Sequence, residues 1–261
     1  MKRSERHRAV LDLLAETGKV EVDEIVERLD VSPATARRDL DSLAAQQLLT
    51  RTRGGATGQS VAYDLPLRYK REQHTRQKEA IARAASALVP RGAVVGLSGG
   101  TTSTIVATAL GARPDFADMS AHPSLTVVTN AINIAAQLVM RPQIKIVMTG
   151  GVVQARSYEL VGPYTNAVLD QITMDFAFIG VNGVDPAFGA TVHDEHEATV
   201  NALMARRAER PVLIADSSKI GRRAFAAVGD RRLFETLITD DGITDEQRAS
   251  FEAAGVHVIV G

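Results

Sequence analysis

The chain has 261 residues, of which 45% are hydrophobic and 23% charged, with a formal net charge of −1. That length suits one small and one medium domain, and the near-neutral charge excludes a general polyanion binder, so any nucleic-acid contact has to come from locally placed cations. The absence of Cys excludes disulfides and thiolate metal sites, and with no run of about 18 apolar residues and no secretory segment after MKRSERHR, a cytoplasmic protein without a membrane partner is expected.

The first domain is expected over 1–57. His7, Val10, Leu11 and Leu14 fall at i, i+3, i+4 and i+7, one face of a helix, and Gly18 can stop it. Lys19–Glu21 reads as a short extended bridge. Val22, Ile25, Val26 and Leu29 repeat the helical stripe. Asp30-Val31-Ser32-Pro33 then supplies an N-cap serine and a proline at the first helical position, where its missing N–H is harmless. A third helix is predicted to about Gln46, with Ala36, Leu40, Leu43 and Ala44 inward. Leu48–Arg53, Gly54-Gly55 and Ala56-Thr57 read as strand, turn and return strand. Three helices and a hairpin make a winged helix-turn-helix.

The third helix carries Thr35, Arg37 and Arg38 in its first two turns, where a recognition helix meets base edges, and Ser32 opens it. Arginine suits guanine O6/N7 or a phosphate oxygen. Arg51 and Arg53 lie on the wing. From Ser32 to Arg53 four Arg oppose Asp39 and Asp41, a local excess of two positive charges. Candidate DNA-contacting residues are therefore Ser32, Thr35, Arg37, Arg38, Arg51 and Arg53.

Residues 58–75 lack a period and read as a connector, with the second domain expected over 76–261. Helical periodicity resumes over 77–89. Strands then alternate with helices: strands at 93–97, 125–129, 144–148, 175–180, 212–215, 237–239 and 256–260, helices after 100 through Leu110 and at 131–139, 163–171 and 195–207. Continuous apolar strands separated by helices predict a mostly parallel α/β sheet covered on both faces, with ligands outside the carboxyl ends of the strands. Ser98-Gly99-Gly100-Thr101-Thr102 follows the first strand. Its glycines let backbone N–H groups approach an anion, and the helix behind it adds its positive end. No Gly-Lys-Ser/Thr or GxGxxG accompanies it, so neither a nucleoside triphosphate nor a dinucleotide is expected. Lys219, beyond another strand, offers a counter-charge to a phosphate. Thr129-Asn130, Asn182 and Asp185, and Glu195 and Glu197 also fall at strand ends and suit sugar hydroxyls. A metal site from His193, Asp194, His196 and Glu197 is conceivable, since His193 and Glu197 would share a helix face at i, i+4, but capping, solvated charge and sugar-hydroxyl recognition are the more natural uses of these groups, and neither a metal nor a cofactor is expected.

Val31–Leu43 followed by Arg53-Gly54-Gly55-Ala56 resembles the DNA-binding signature of DeoR-family regulators, with Ala36 where the family has a larger aliphatic residue. Gly100-Thr101-Thr102, Thr129-Asn130, Thr149-Gly150-Gly151, Gly180–Asp185, Asp194–Glu197 and Asp216-Ser217-Ser218-Lys219 resemble the family's sensor domain, which is similar to ribose-5-phosphate isomerase; Ser98 stands where the family often has Asp. The resemblance implies a DNA-binding transcription regulator, most often a repressor, that acts on a duplex operator as a homodimer or homotetramer under control of a phosphorylated sugar or related metabolite. The alternative is an active sugar-phosphate isomerase with a DNA-binding appendage. Against it, the isomerase run of Asp-Gly-Ala-Asp-Glu followed by lysine reads here Asn182-Gly183-Val184-Asp185-Pro186, with no lysine over 186–190. No catalytic residue is therefore expected.

Overall fold

A computed structural model describes residues 1–46, 48–57, 73–118 and 122–261. The chain forms two compact units, Met1–Leu65 and Pro66–Gly261. Most of the expected connector lies outside the described residues. Its last residue does not belong to it: Thr75 is already helical, behind His74 in the left-handed region (φ 51°).

In the first unit α1 (Arg3–Thr17) ends at Gly18, whose N–H bonds Leu14 O at φ 73°. β1 (Lys19–Glu21), α2 (Val22–Leu29) and α3 (Pro33–Ala45) follow, then β2 (Thr50–Arg51) and β3 (Gly55–Thr57). The bridge expected at Lys19–Glu21 is a true strand: β3 pairs with β1 on one side and β2 on the other, all antiparallel. Gly55 makes this possible, because a Cβ there would lie 2.0 Å from Val20 O. Val10, Leu11, Leu14, Ile25, Ala36, Leu40 and Leu43 are buried together, as their spacing predicts.

α3 is tied to α1 by charge as well as by apolar packing. Asp39, only 3% exposed, takes Nε of Arg6 at 2.7 Å and Nη2 at 3.1 Å, and lies 3.2 Å from Nε2 of His7. A buried carboxylate held bidentately by a guanidinium is strong in geometry, and removing one partner leaves the other charge stranded.

The second unit is built on a seven-stranded parallel sheet. Its elements are α4 (Thr75–Ala87), β4 (Val94–Leu97), α5 (Thr101–Gly111), β5 (Leu125–Thr129), α6 (Ile132–Leu138) and β6 (Ile144–Met148). Next come β7 (Val152–Gln154), β8 (Glu159–Val161), α7 (Pro163–Leu169), β9 (Met174–Gly180), β10 (Gly183–Asp185), β11 (Gly189–Val192), α8 (Glu195–Arg206) and β12 (Ala208–Ile214). The unit closes with β13 (Ala226–Ala227), β14 (Thr236–Thr239), α9 (Asp245–Ala253) and β15 (His257–Val260). The main sheet runs β15-β14-β12-β9-β4-β5-β6, parallel throughout. Phe176 and Phe178 of β9 face a core shared with α4, α5 and α6, whereas Ala177 and Ile179 face one shared with α7, α8 and α9. This is the two-layer burial that apolar strands of this kind require.

Three features are absent from the sequence pattern: α9, the antiparallel β7–β8 hairpin, and the small sheet β10-β11-β13. The hairpin docks across the end of β5, where Leu160 N–H bonds Asn130 O at 2.8 Å and Ile132 N–H bonds Tyr158 O at 3.0 Å.

Asp39→Ala is expected to lower the stability of the N-terminal unit, because the buried carboxylate that ties α3 to Arg6 and His7 of α1 is lost. Urea unfolding followed by circular dichroism would reveal it as an early transition, with the later transition of the second unit unmoved.

Candidate functional site

On the first unit, the start of α3 is set by its cap. Ser32 Oγ accepts the Thr35 N–H at 3.2 Å and lies 2.9 Å from Thr35 Oγ1. Arg37 and Arg38 follow on the solvent side of the helix, and Arg53 is exposed on the wing turn. Among the described residues none of these three arginines has a hydrogen-bond or ion-pair partner. Arg51 is placed differently from its neighbour: its Nε bonds Asp41 at 2.8 Å and its Nη1 reaches Gly55 O, so it braces the wing against α3. Asp39 is withdrawn into the α1–α3 contact, which takes its charge off the face that carries Arg37 and Arg38.

On the second unit, parallel strands bring their carboxyl ends to one edge. Gly100 caps α5 at φ 103°, and the first turn of that helix, Thr101 and Thr102, is buried. Thr102 Oγ1 and Ser103 Oγ are buried without a hydrogen-bond partner. Such atoms cost about 1–3 kcal/mol apiece when they stay unbonded.

Several residues expected at the ligand already make hydrogen bonds within the chain. Ser98 Oγ accepts the Gly180 N–H at 2.9 Å and donates to Gly99 O at 3.3 Å, locking the end of β4 to that of β9. Thr129 Oγ1 donates to Leu97 O at 2.7 Å and accepts the Ala131 N–H at 3.1 Å. Asn182 Oδ1 accepts the His193 N–H at 3.3 Å. Asp185 accepts the N–H groups of Ala187 and Phe188 and pairs with Arg223 at 3.1 Å. Burial opposes its charge, but the Ala187 amide, Arg223 and the Phe188 amide outweigh that and hold its pKa below the usual carboxylate value. These four residues close strand ends and turns. Of the two glutamates on α8, Glu195 is exposed whereas Glu197 is half-buried and acts electrostatically on Glu159. Asp194 caps α8 by accepting the N–H groups of His196 and Glu197 at 2.9 and 3.0 Å. Asp194, Glu195 and His196 bring one potential ligand atom each within 4.8 Å of one another, with the last two side chains facing solvent.

Glu159, which no sequence pattern singled out, stands at the same edge and is 4% exposed. Asn130 Nδ2 donates to its Oε2 at 3.0 Å and to Leu160 O at 3.2 Å, while Asn130 Oδ1 is buried without a partner. A Cβ on Gly99 would lie 2.3 Å from the Glu159 carboxyl carbon, so glycine there makes room for this side chain. Burial first, then the charge of Glu197, push the Glu159 pKa up to about 8, against the Asn130 and Gly99 amides.

Cations gather beyond β12. Lys219 Nζ lies 3.9 Å from Asp216, which is 1% exposed. Lys78, in the first turn of α4 and 3% exposed, was equally hidden from the sequence. Its pKa falls to about 8, chiefly through burial and then through Lys219, with Asp216 opposing. Lys78 and the half-buried Lys219 thus both act electrostatically around Asp216, at the edge where α4 and α5, which pack together, both begin.

Between the ordinary carboxylate value of 4.5 and about 8 the folded chain holds a proton on Glu159 that the unfolded chain has lost, so stability falls as pH rises through that window. Glu159→Gln has no such proton. Its melting temperature relative to wild type is expected to climb from about pH 5 to about pH 8; a gap that stays constant would mean that Glu159 is ionised throughout.

The DeoR-like helix-turn-helix domain matches residues 6–60, and the DeoR C terminal sensor domain matches residues 73–241. The glycerol-3-phosphate regulon repressor of Escherichia coli (strain K12) is 32% identical over 240 residues, 92% of each chain. The HTH-type transcriptional regulator GlpR of Haloferax volcanii is 32% identical over 259 residues, 99% of this chain and 98% of that one. Among solved structures, ribose 5-phosphate isomerase A from Methanocaldococcus jannaschii aligns over 55% of this chain and 53% of its own with 22% identity and a TM-score of 0.40. No helix among the described residues is long and apolar enough to cross a membrane. The two domain matches and the near full-length relatives establish that the chain belongs to the DeoR family of DNA-binding transcription regulators.

Proposed function

We propose that this protein is a repressor of a sugar-metabolism operon whose DNA affinity is set by a phosphorylated sugar bound at the carboxyl edge of the parallel sheet. Residues 1–57 are the DNA-binding head, 58–74 the connector and 75–261 the sensor. The observation that carries the DNA half is the solvent-facing pair Arg37 and Arg38, without partners among the described residues, in the first turns of a helix capped by Ser32. In this reading Arg37, Arg38 and Thr35 meet base edges or phosphates in the major groove, Ser32 and Arg53 meet backbone, and Arg51 holds the wing in place.

The sensing half rests on the α5 turn with Lys78 and Lys219 as its cations. Backbone N–H groups at a helix start, buried hydroxyls without partners, and the nearby side chains of Lys78 and Lys219 together suit a dianion. Ser98, Thr129, Asn182 and Asp185 would then shape the pocket without touching the ligand. The relatives named glycerol-3-phosphate regulon repressors support a phosphorylated metabolite as the effector class. The effector acts by binding one arrangement of a homodimer or homotetramer better than another, which changes how paired heads meet DNA and requires differential affinity. A cytoplasmic location follows from this function.

Turnover is not part of this reading. Aldose–ketose isomerisation needs a poised base and groups that stabilise the enediolate. Asn182 is an amide, residue 186 is proline, and Asp185 is held down in pKa by a turn and Arg223.

Arg37→Ala combined with Arg38→Ala is expected to weaken binding to a duplex selected by the wild-type protein by at least about 100-fold, at about 1–3 kcal/mol per lost contact. Fluorescence anisotropy measures it; retained specific binding would refute the assignment. In a gel-shift titration with a panel of phosphorylated sugars, at least one is expected to change DNA affinity by about 5-fold or more, and Lys219→Ala should blunt that response. A panel without effect would sink the sensing role, and steady conversion of pentose or hexose phosphates by the pure protein would favour the isomerase reading instead.

A further inference from the structure

Glu159 is an expensive residue to keep. Its carboxyl is buried, and among the described residues it has no ion pair. The strongest charge effects on it come from two other acids, Glu197 and Asp194. A buried acid of this kind destabilises the fold at neutral pH, and an isosteric amide or an apolar side chain would remove that cost. The surroundings are nevertheless shaped for it. Gly99 lacks the Cβ that would collide with it, the β7–β8 hairpin carries it across the end of β5, and Asn130 orients it through Nδ2.

A second observation points to a ligand at the same place. Asn130 is fully buried, yet its Oδ1 has no partner, and neither has Thr102 Oγ1 on the first turn of α5. Both oxygens can accept from an N–H or O–H donor, as can Glu159 when it is ionised. The wall formed by Asn130 and Glu159 therefore offers acceptors, and negative charge once Glu159 gives up its proton in favour of a bound cation, immediately beside a turn that offers donors and positive potential.

A neutral hydroxyl would satisfy one acceptor and leave the Glu159 carboxylate without a counter-charge. An ammonium group would satisfy the acceptors and supply the missing counter-charge, which in a buried site is worth more than in water. We propose that Glu159 is the specificity residue of the sensor pocket and receives a protonated amine, so that the preferred effector is a phosphorylated sugar with a free amino group. The inference rests on the phosphate-binding reading of the α5 turn given above. Glu197 and Asp194 reinforce the negative end, and Gly99 is the hinge between the two halves of the site because it belongs to the turn and also backs the carboxyl.

The test is titration calorimetry on the full chain at pH 7 with glucosamine 6-phosphate, N-acetylglucosamine 6-phosphate, glucose 6-phosphate and inorganic phosphate. Glucosamine 6-phosphate is expected to bind at least about tenfold more tightly than either of the other two sugars. Glu159→Gln is expected to reduce that preference to threefold or less, on the order of 0.6 kcal/mol, and to leave inorganic phosphate unchanged. Equal affinity for the amino and hydroxyl sugars in wild type, or a preference that survives in Glu159→Gln, overturns the amine proposal while the phosphate reading stands. Binding of inorganic phosphate without any of the sugars also overturns it. If none of the four binds, the phosphate reading falls and this inference with it. The wild-type ratio decides the matter even if the variant fails to fold.

Discussion

The second unit depends on one constraint: all seven strands of its main sheet run the same way. Parallel pairing requires each strand to return by a crossover, so every strand delivers its carboxyl end, and the start of whatever follows, to a single edge. β4 brings the Gly99–Thr102 turn there, β5 brings Asn130, and β12 brings Asp216 and Lys219. α4 runs down from that edge before β4 rises, which is why Lys78 in its first turn meets Lys219 although 141 positions separate them by numbering. No local sequence feature puts these groups together; strand direction does.

The same constraint explains what was legible in the sequence and what was not. Parallel strands buried on both faces read as unbroken apolar runs, and their positions emerged to within a few residues. The caps of the first unit were as plain, because Gly18 and Ser32-Pro33 act on their own neighbours. Strand-end polar residues were harder. Ser98, Thr129 and Asn182 are polar where ligands bind in such sheets, and they also partner the backbone groups of the strand ends, a role that their sequence positions do not reveal. Glu159 was missed for the opposite reason. β7 and β8 have three residues each, too few for a period, and the carboxyl gains its meaning only from Gly99 and Asn130, far away in sequence. The one local hint was the Thr149-Gly150-Gly151 stop, whose Gly150 and Gly151 sit at φ 70° and 130° and turn the chain into the hairpin.

Charge is managed in opposite ways in the two units. In the first, carboxylates are neutralised so that arginines stand clear. Asp39 is buried against Arg6 and His7, and Asp41 is paired with Arg51, so Arg37, Arg38 and Arg53 keep their field. The formal excess over Ser32–Arg53 is only two, but the acids that dilute it are inside or engaged. In the second, the Glu159 carboxyl is kept buried and without a cation beside Gly99, at the entry to α5. Pairing Asp39 stabilises a fold that displays charge; leaving Glu159 unpaired lowers stability and reserves a charge for something not covalently part of the chain. Stability given up at one buried residue, with its neighbours built to accommodate it, is the physical mark of selection for a contact made only when a ligand is bound.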